Sequence, residues 1–260
     1  MVLDPSLQAA LQRAAGAQRL LTCWDFDGTL APIVSDPDAA RPLPGAMALL
    51  RGLAALPDTP VALLSGRARS DLARLSGAAD PIVLVGSHGA ELPPDMSADR
   101  TLDHADRLAE VLAAVRAVTD GVAGVLLEPK PVSVAVHVRN VADRASAAAI
   151  VAAVVAGPGS WPGVHITTGK EVVELSVQPV DKGAAITALR DRFAASTVVF
   201  VGDDVTDERG FAVLRGSDVG VKVGSGTTAA AYRVDDPAQV LELAAVLVAA
   251  RTPASGGVAR

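Results

Sequence analysis

The sequence contains a single cysteine, Cys23, among 260 residues, so no disulfide can form within the chain. Chains that lack disulfides are typical of reducing compartments, and we therefore expect a cytoplasmic protein. The N-terminus has no basic stretch followed by an apolar run, so we expect no signal peptide. Aromatic residues make up only 3% of the chain, and this scarcity does not by itself indicate a function.

An excess of positive charge is also missing, because the formal net charge is -6. A nucleic-acid-binding protein needs a basic face to neutralise phosphates, so we expect no nucleic-acid partner. A small anionic substrate is compatible with this charge, since a local pocket can be positive on an acidic protein. The most apolar helical runs, such as 147–156, are too short to cross a bilayer, and we expect no membrane partner.

Half of the residues are hydrophobic and 20% are charged, a balance that is typical of a packed globular protein. Short apolar runs end at small or polar residues, as strands do when both faces of a parallel sheet are buried. These runs are 20–24, 61–64, 82–85, 198–201 and 219–223. Helical patterns lie between them, at 45–55, 68–77, 182–194 and 207–215. The alternation predicts an α/β fold, a Rossmann-like doubly wound parallel sheet that binds ligands beyond the carboxyl ends of its strands.

The middle of the chain has a different pattern, in which helix and strand signals occur in the order helix, two strands, helix, two strands. The segments are 102–118, 125–128, 132–139, 143–156, 165–168 and 172–177. This order predicts a small α+β cap domain inserted into the α/β core. We expect the first part of the core at 1–92, the cap at 93–177 and the second part of the core at 178–260.

Two carboxylates, Asp25 and Asp27, follow the first predicted strand, and Gly28 permits a tight turn after them. Because side chains alternate along a strand, both carboxylates reach one site only where the strand gives way to a loop. Paired carboxylates at such a place suit a hard cation with oxygen ligands. A lone Asp-x-Asp more often closes a strand with a turn, so this pair gains weight only beside the other motifs.

A second acidic cluster follows another predicted buried strand, with four acids at 203–208. These acids repel each other unless a positive charge lies among them, and a divalent cation would supply that charge. Asp207 and Glu208 also suit a helix N-terminus, where acids favour the macrodipole. That explanation does not extend to Asp203 and Asp204.

Two weaker signals lie at comparable places along the chain. Ser65 follows a predicted strand and precedes a helix, where a hydroxyl and backbone N–H groups can cradle a phosphate, although an ordinary helix cap explains it better on its own. Lys182 opens a helix and can neutralise a phosphate or pair with an acid, although most such lysines are solvated.

The four clusters together resemble the motifs of the haloacid dehalogenase-like phosphatases. The matching positions are 25–30, Ser65, Lys182 and 202–207. The resemblance spans nearly the whole chain and implies a phosphate monoester hydrolase. It implies that Asp25 attacks phosphorus to form an aspartyl-phosphate, while Asp27 protonates the leaving oxygen and then activates water. Ser65 and Lys182 are then expected to bind the phosphoryl oxygens.

The resemblance also implies a bound cation, and we expect Mg²⁺ because it prefers oxygen ligands and phosphate co-ligands. The implied ligands are an oxygen of Asp25, the backbone carbonyl of Asp27, and Asp203. Either Asp204 or Asp207 is expected to support them, and the sequence leaves that choice open.

A narrower resemblance is to the trehalose-6-phosphate phosphatases. The shared motifs lie at 65–67, 86–89, 128–130, 137–139, 169–174, 181–183 and 202–208. They imply that the cap is a lid over a phosphorylated disaccharide, and that a trehalose-phosphate synthase is a functional partner. The implied substrate-binding residues are Arg67, His88, Gly89, Glu128, Lys130, Arg139, Lys170 and Glu174. The chain has Ser176-Val177 where the family often has Arg-Pro, which leaves the contacts near Ser176 open.

Other functions remain compatible with the core motifs. A related capped phosphatase acting on sucrose phosphate, mannosyl-phosphoglycerate or a hexose phosphate would carry the same core residues. A phosphomutase also forms an aspartyl-phosphate, and its product would be an isomer instead of free phosphate. A non-catalytic sugar-phosphate-binding module is disfavoured, because Asp25, Asp27, Lys182 and Asp203 are all present.

Overall fold

The structure is a computed structural model that describes residues 3–96, 102–169, 171–178 and 181–252. The chain forms two compact units. The core unit is Met1–Gly89 with Asp181–Arg260, and the inserted unit is Ala90–Val180. Within the described ranges, every helix is too short or too polar to cross a membrane.

The core unit alternates strands and helices before and after the inserted unit. Its elements are α1 (Pro5–Ala15), β1 (Leu20–Asp25), α2 (Ala46–Ala54), β2 (Val61–Leu64), α3 (Arg69–Ser76) and β3 (Val83–Val85). The inserted unit contributes α4 (Leu102–Thr119), β4 (Leu126–Pro129), β5 (Ser133–His137), α5 (Arg144–Ala156), β6 (His165–Gly169) and β7 (Val172–Ser176). The core unit then continues with α6 (Lys182–Phe193), β8 (Thr197–Gly202), α7 (Asp207–Ala212), β9 (Val219–Val223), β10 (Tyr232–Val234) and α8 (Pro237–Arg251).

The core sheet is parallel throughout, with the strand order β10-β9-β8-β1-β2-β3. Its central strands are buried along their whole length, which explains their continuous apolar sequences. On one face, Leu20 and Trp24 of β1 belong to a core shared with α1, α2 and α8. From β8, Phe200 contacts Phe211 of α7, with ring centroids 5.0 Å apart. The predicted α/β class with a parallel sheet is confirmed.

The carboxyl ends of the central strands position the polar motifs. Asp25 is the last residue of β1 and pairs in register with Leu64 of β2, directly before Ser65. Gly202 ends β8 and pairs with Lys222 of β9. Because parallel strands end at the same edge of a sheet, the loops after β1, β2 and β8 emerge side by side.

Helices α1, α6 and α8 of the core unit each begin after an aspartate that caps the helix. The side chain of Asp181 accepts a hydrogen bond from the backbone N–H of Gly183, at 2.8 Å, and so begins α6 at Lys182. Asp236 accepts from the N–H groups of Ala238 and Gln239 at the start of α8. Each cap satisfies N–H groups that have no partner within the helix.

The inserted unit is an antiparallel sheet packed on two helices. Its strand order is β4-β5-β7-β6. Val134 and Val136 of β5 are fully buried and share a core with Val111 of α4 and Val154 of α5. Ser133, Ala135 and His137 alternate with these valines, so they lie on the opposite face of the sheet.

Candidate active site

Asp25 lies at the buried end of β1 in contact with an ammonium group. It is 4% exposed, and its Oδ1 accepts a hydrogen bond of 2.6 Å from Nζ of Lys182. The same Nζ donates a 2.6 Å hydrogen bond to Oδ1 of Asp207. Lys182 therefore lies between two buried carboxylates, one at the start of α7 and one at the end of β1.

Burial dominates the electrostatics of this cluster. Burial raises the pKa of Asp25 well above its usual value; the charge of Lys182 opposes this, while Asp207 and Asp203 reinforce it. Burial also raises the pKa of Asp203 to about 6, with repulsion from Asp207 and Asp204 adding to the effect. For Lys182 burial disfavours the charged form, but its two carboxylate partners outweigh that penalty and raise its pKa.

The carboxylate oxygens of this cluster are arranged so that they could bind a cation. One carboxylate oxygen each from Asp25, Asp203 and Asp207 lie within 4.8 Å of one another. Oδ2 of Asp25 and Oδ1 of Asp203 are buried and have no hydrogen-bond partner among the described residues. Buried carboxylate oxygens without donors are costly unless a cation satisfies them. The oxygen-only donor set matches what Mg²⁺ prefers.

Two glycines allow the acidic side chains to approach the strand ends. A Cβ on Gly28 would lie 2.0 Å from Oδ2 of Asp203, and its φ of +81° also favours glycine. A Cβ on Gly202 would lie 2.3 Å from Cγ of Asp207. The two carboxylates therefore occupy space that any larger residue at these positions would fill.

Asp27 and Asp204 have different surroundings from the three clustered carboxylates. The Asp27 carboxylate receives two hydrogen bonds from the guanidinium of Arg67, each 2.7 Å long. Asp204 is exposed, and its backbone N–H donates to Oδ2 of Asp207 at 2.9 Å. Of the two acids between which the sequence left the choice open, Asp207 is the one whose side chain lies beside Asp25 and Asp203.

The loops after β2 and β3 bring Ser65 and His88 together. Ser65 is buried, and its Oγ accepts a hydrogen bond of 3.1 Å from the N–H of Arg67. That contact leaves the hydroxyl hydrogen able to donate to a ligand. The His88 N–H donates to the Ser65 carbonyl at 2.8 Å, and its ring lies directly against Gly66. Gly89 lies against the carbonyl of Asp181, one residue before Lys182.

The inserted unit holds a network of opposite charges around Glu174. Nζ of Lys130 is 3.0 Å from Oε2 of Glu174, and both side chains are nearly buried. The hydroxyl of Ser133 donates to the other Glu174 oxygen at 2.6 Å. Glu128 is 2.9 Å from Nε2 of His137. Carboxylate and ammonium groups of this kind suit a polyhydroxylated ligand, because each sugar hydroxyl both donates and accepts.

Arg139, another predicted residue of the inserted unit, has a partner outside that network. Arg139 is an exposed side chain that forms an ion pair of 3.4 Å with Glu171. Lys170 lies outside the described residues. Ser176, at the departure from the family pattern, is buried, and its Oγ lies 3.1 Å from the Val132 carbonyl and 2.8 Å from the Gln178 carbonyl. Its hydroxyl therefore has backbone partners within the inserted unit.

Sequence reasoning missed one charged residue at the site, Lys222. It lies in β9, is 4% exposed, and donates through Nζ to the backbone carbonyl of Asp203. The apolar pattern of 219–223 predicts a buried strand, although the segment contains this lysine. A lysine inside a fully buried strand requires a polar partner, and that requirement was the available signal.

Comparisons with known proteins agree with the geometry of the core unit. The model of the trehalose-phosphatase family matches residues 23–238. A trehalose-phosphate phosphatase of Mycolicibacterium paratuberculosis is 41% identical over 238 residues, which cover 84% of this chain and 59% of that protein. One from Mycobacterium marinum is 39% identical over 256 residues, which cover 92% of this chain and 64% of that protein. The chain thus spans less than two thirds of the length of these relatives.

A solved structure shows the same fold. The C-terminal domain of trehalose-6-phosphate phosphatase from C. albicans superimposes with a TM-score of 0.75 at 22% identity, covering 96% of this chain and 98% of that chain. The family match extends from the end of β1 through both acidic clusters to the start of α8. The family match and the sequence relatives show that this chain belongs to the trehalose-phosphatase family.

Proposed function

We propose that this chain hydrolyses trehalose 6-phosphate to trehalose and phosphate through an aspartyl-phosphate. The observation that carries the proposal is the buried Asp25, held by Lys182 and next to Asp203 and Asp207. The names of the relatives supply the substrate. We further propose that the reaction takes place in the cytoplasm and follows a synthase that supplies the sugar phosphate.

Asp25 is proposed as the nucleophile. A carboxylate oxygen of Asp25 forms a bond to phosphorus while the bond from phosphorus to the sugar oxygen breaks, which splits hydrolysis into two steps. Oδ1 is held by Lys182, so the orientation of the carboxylate is fixed before the substrate binds. Water then attacks phosphorus, releases phosphate and restores the Asp25 carboxylate.

Asp27 is proposed as the general acid and base. It gives a proton to the leaving sugar oxygen and takes one from the attacking water, a role typically worth ~10² to 10⁴ in rate. Its carboxylate has both oxygens on Arg67. The leaving oxygen therefore shares this carboxyl group with Arg67 when Asp27 donates its proton.

The phosphoryl oxygens are proposed to bind Ser65 and Lys182. The Ser65 hydroxyl hydrogen is available because its oxygen accepts from Arg67. Lys182 uses two N–H groups for Asp25 and Asp207 and has a third to offer. Both donors come from buried positions, where a hydrogen bond to a charged group is strong.

The proposed cation is Mg²⁺, held by Asp25, the Asp27 carbonyl, Asp203 and Asp207. When bound, it offsets the repulsion between the Asp25 carboxylate and the phosphate. The buried oxygens of Asp25 and Asp203 that lack donors are the support for this assignment. Asp204 is left as an outer residue of the loop, because its side chain is exposed.

In the core unit, Arg67, His88 and Gly89 are proposed to bind the sugar. The proposed residues of the inserted unit are Glu128, Lys130, Arg139, Lys170 and Glu174. The network around Glu174 supports the assignment of Lys130 and Glu174, since it places the Lys130 ammonium and a hydroxyl on the Glu174 carboxylate.

The test is phosphate release from a panel of sugar phosphates, with and without Mg²⁺, by wild type and Asp25→Asn. We expect Mg²⁺-dependent release that is fastest with trehalose 6-phosphate and absent from the variant. Faster release from sucrose phosphate, mannosyl-phosphoglycerate or a hexose phosphate would replace the substrate assignment. An isomerised sugar phosphate without free phosphate would indicate a mutase, and binding without turnover would indicate a binding module.

A further inference from the structure

Lys222 is a buried cation that the proposed mechanism does not use. It pairs in register with Gly202, so its side chain starts beside the loop that carries the acidic cluster. Its Nζ donates to the Asp203 carbonyl and lies 3.5 Å from the Asp204 carbonyl. A buried ammonium that binds two successive carbonyls fixes the backbone of that loop.

The same ammonium faces a carboxylate that reaches the next loop. Oε1 of Glu208 is 3.8 Å from Nζ of Lys222. The other oxygen, Oε2, accepts hydrogen bonds from the N–H of Ala229, at 2.8 Å, and the hydroxyl of Thr228, at 3.3 Å. Lys222 and Glu208 therefore connect the acidic loop after β8 with the loop after β9.

We infer that Lys222 is a positioning residue for the cation site, which it serves by holding the Asp203 backbone so that the Asp203 carboxylate faces Asp25. This inference rests on the proposed function, because it takes Asp203 to be a cation ligand. Outer partners that orient ligands typically account for about 10- to 100-fold in metal affinity or activity.

The direction in which Mg²⁺ affinity changes when Lys222 is replaced separates a positioning role from a purely electrostatic one. A positive Lys222 repels a nearby cation, so its removal alone would strengthen Mg²⁺ binding. Its removal would also leave the Glu208 carboxylate without its cation, which would favour Mg²⁺ further. Loss of positioning would weaken Mg²⁺ binding, because Asp203 would no longer be held as a ligand.

The experiment is a calorimetric titration of the whole chain with Mg²⁺ in the absence of substrate. We expect Lys222→Met to raise the Kd for Mg²⁺ by about tenfold. The Kd of Lys222→Arg should lie between those of Lys222→Met and wild type. The matched control is Arg190→Met, which removes another buried cation, paired with Asp218 in the core unit. It should lose stability and keep the wild-type Kd.

Each outcome has a distinct meaning. Equal or tighter Mg²⁺ binding by Lys222→Met overturns the inference and leaves the proposed function in place. Absence of Mg²⁺ binding by wild type overturns the proposed cation site and the inference with it. An equal loss of affinity in Arg190→Met would show that any destabilised core weakens the site, and would also overturn the inference.

Folding of the variants can be checked with Cys23, which is fully buried in β1. A thiol reagent should label it only after the core unit unfolds. If Lys222→Met is labelled without denaturant, Lys222→Gln takes its place, because its amide keeps a donor but is too short to reach the same carbonyls. The expected rise in Kd and the contradicting result are the same for this variant.

At saturating Mg²⁺ the kinetic signature should also separate Lys222 from the residues that touch substrate. We expect Lys222→Met to recover most of its kcat, with an unchanged KM for the sugar phosphate. A raised KM that Mg²⁺ does not restore would place Lys222 in substrate binding and contradict the inference.

Discussion

Lys182 and Asp25 are 157 positions apart in the sequence, yet Nζ of Lys182 lies 2.6 Å from Oδ1 of Asp25. The same Nζ binds Asp207, and all three side chains are almost completely buried. Neither carboxylate has another ammonium partner among the residues that the structure describes. The site is therefore an internal ion cluster in which one ammonium is shared by two acids and offsets only part of their charge, and its chemistry depends on folding of the core unit.

Lys182→Met should destabilise the core unit strongly, because it leaves two buried carboxylates without their cation. Breaking a buried ion pair by removing one partner typically costs about 3 to 5 kcal/mol. We expect a loss of that size in the free energy of unfolding, measured by urea denaturation. The double variant Lys182→Met/Asp207→Asn should recover part of the loss, since it removes one of the two uncompensated charges. An unfolding midpoint equal to wild type would show that Lys182 does not stabilise the two buried carboxylates.

Gly202→Ala should reduce activity while the protein still folds. Its Cβ would overlap the carboxylate carbon of Asp207, at 2.3 Å, and so displace that side chain from Lys182. Phosphate release from trehalose 6-phosphate is the measurement. The control is Gly52→Ala, where the nearest atom is 4.0 Å away within a helix; it should keep full activity and gain up to about 1 kcal/mol of stability. Full activity in Gly202→Ala would contradict the packing argument.

Much of the core unit could be predicted because its central strands are buried on both faces. Such strands have continuous apolar sequences, and the polar residue that follows each one marks the sheet edge where ligands bind. Asp25 ends β1, Ser65 follows β2, and Asp203 follows β8 in this way. The class of fold and the family could therefore be recognised without coordinates.

Two of the elements that sequence reasoning missed, α8 and β10, have weak local signals. In α8 the buried positions, such as Val240 and Leu247, alternate with further apolar residues that hide the helical period. The edge strand β10 has only three residues. Helix α7 was predicted to extend to residue 215 and ends at Ala212.

The choice between Asp204 and Asp207 could not be made from sequence. Both acids follow the same strand, and a one-turn difference in the loop decides which side chain is buried. The structure buries Asp207 against Gly202 and leaves Asp204 exposed. That outcome depends on contacts with Lys182, from a helix distant in sequence.

Lys130→Met should weaken the binding of the sugar without affecting the chemistry of phosphate transfer. Loss of a hydrogen bond from a charged group is worth about 1.5 to 3 kcal/mol, so we expect the KM for trehalose 6-phosphate to rise at least about tenfold. Activity on p-nitrophenyl phosphate, which has no sugar, should be unchanged. Arg116→Met, an exposed position of α4, is the matched control. An unchanged KM would remove Lys130 from the proposed sugar site.

Arg251→Ala should destabilise the core unit and leave kcat unaltered. The guanidinium at the end of α8 donates to the carbonyls of Ala15 and Asp58 and to the hydroxyl of Thr59. We expect a loss of about 1.5 to 3 kcal/mol, as for hydrogen bonds from a charged group, measured by thermal or urea unfolding. Arg13→Ala, at an exposed position of α1, should stay near wild type. A fall in kcat in the folded protein would link this end of the sheet to the site.

The most direct test of the account asks whether phosphorus becomes bonded to Asp25 during turnover. The measurement is peptide mass spectrometry of the chain quenched in acid while it turns over trehalose 6-phosphate with Mg²⁺. We predict a phosphoryl group on Asp25 in wild type, and none in Asp25→Asn, which should also release no phosphate. Phosphate release at the wild-type rate by Asp25→Asn, or a phosphoryl group on a different residue, would contradict the assignment of Asp25 as the nucleophile.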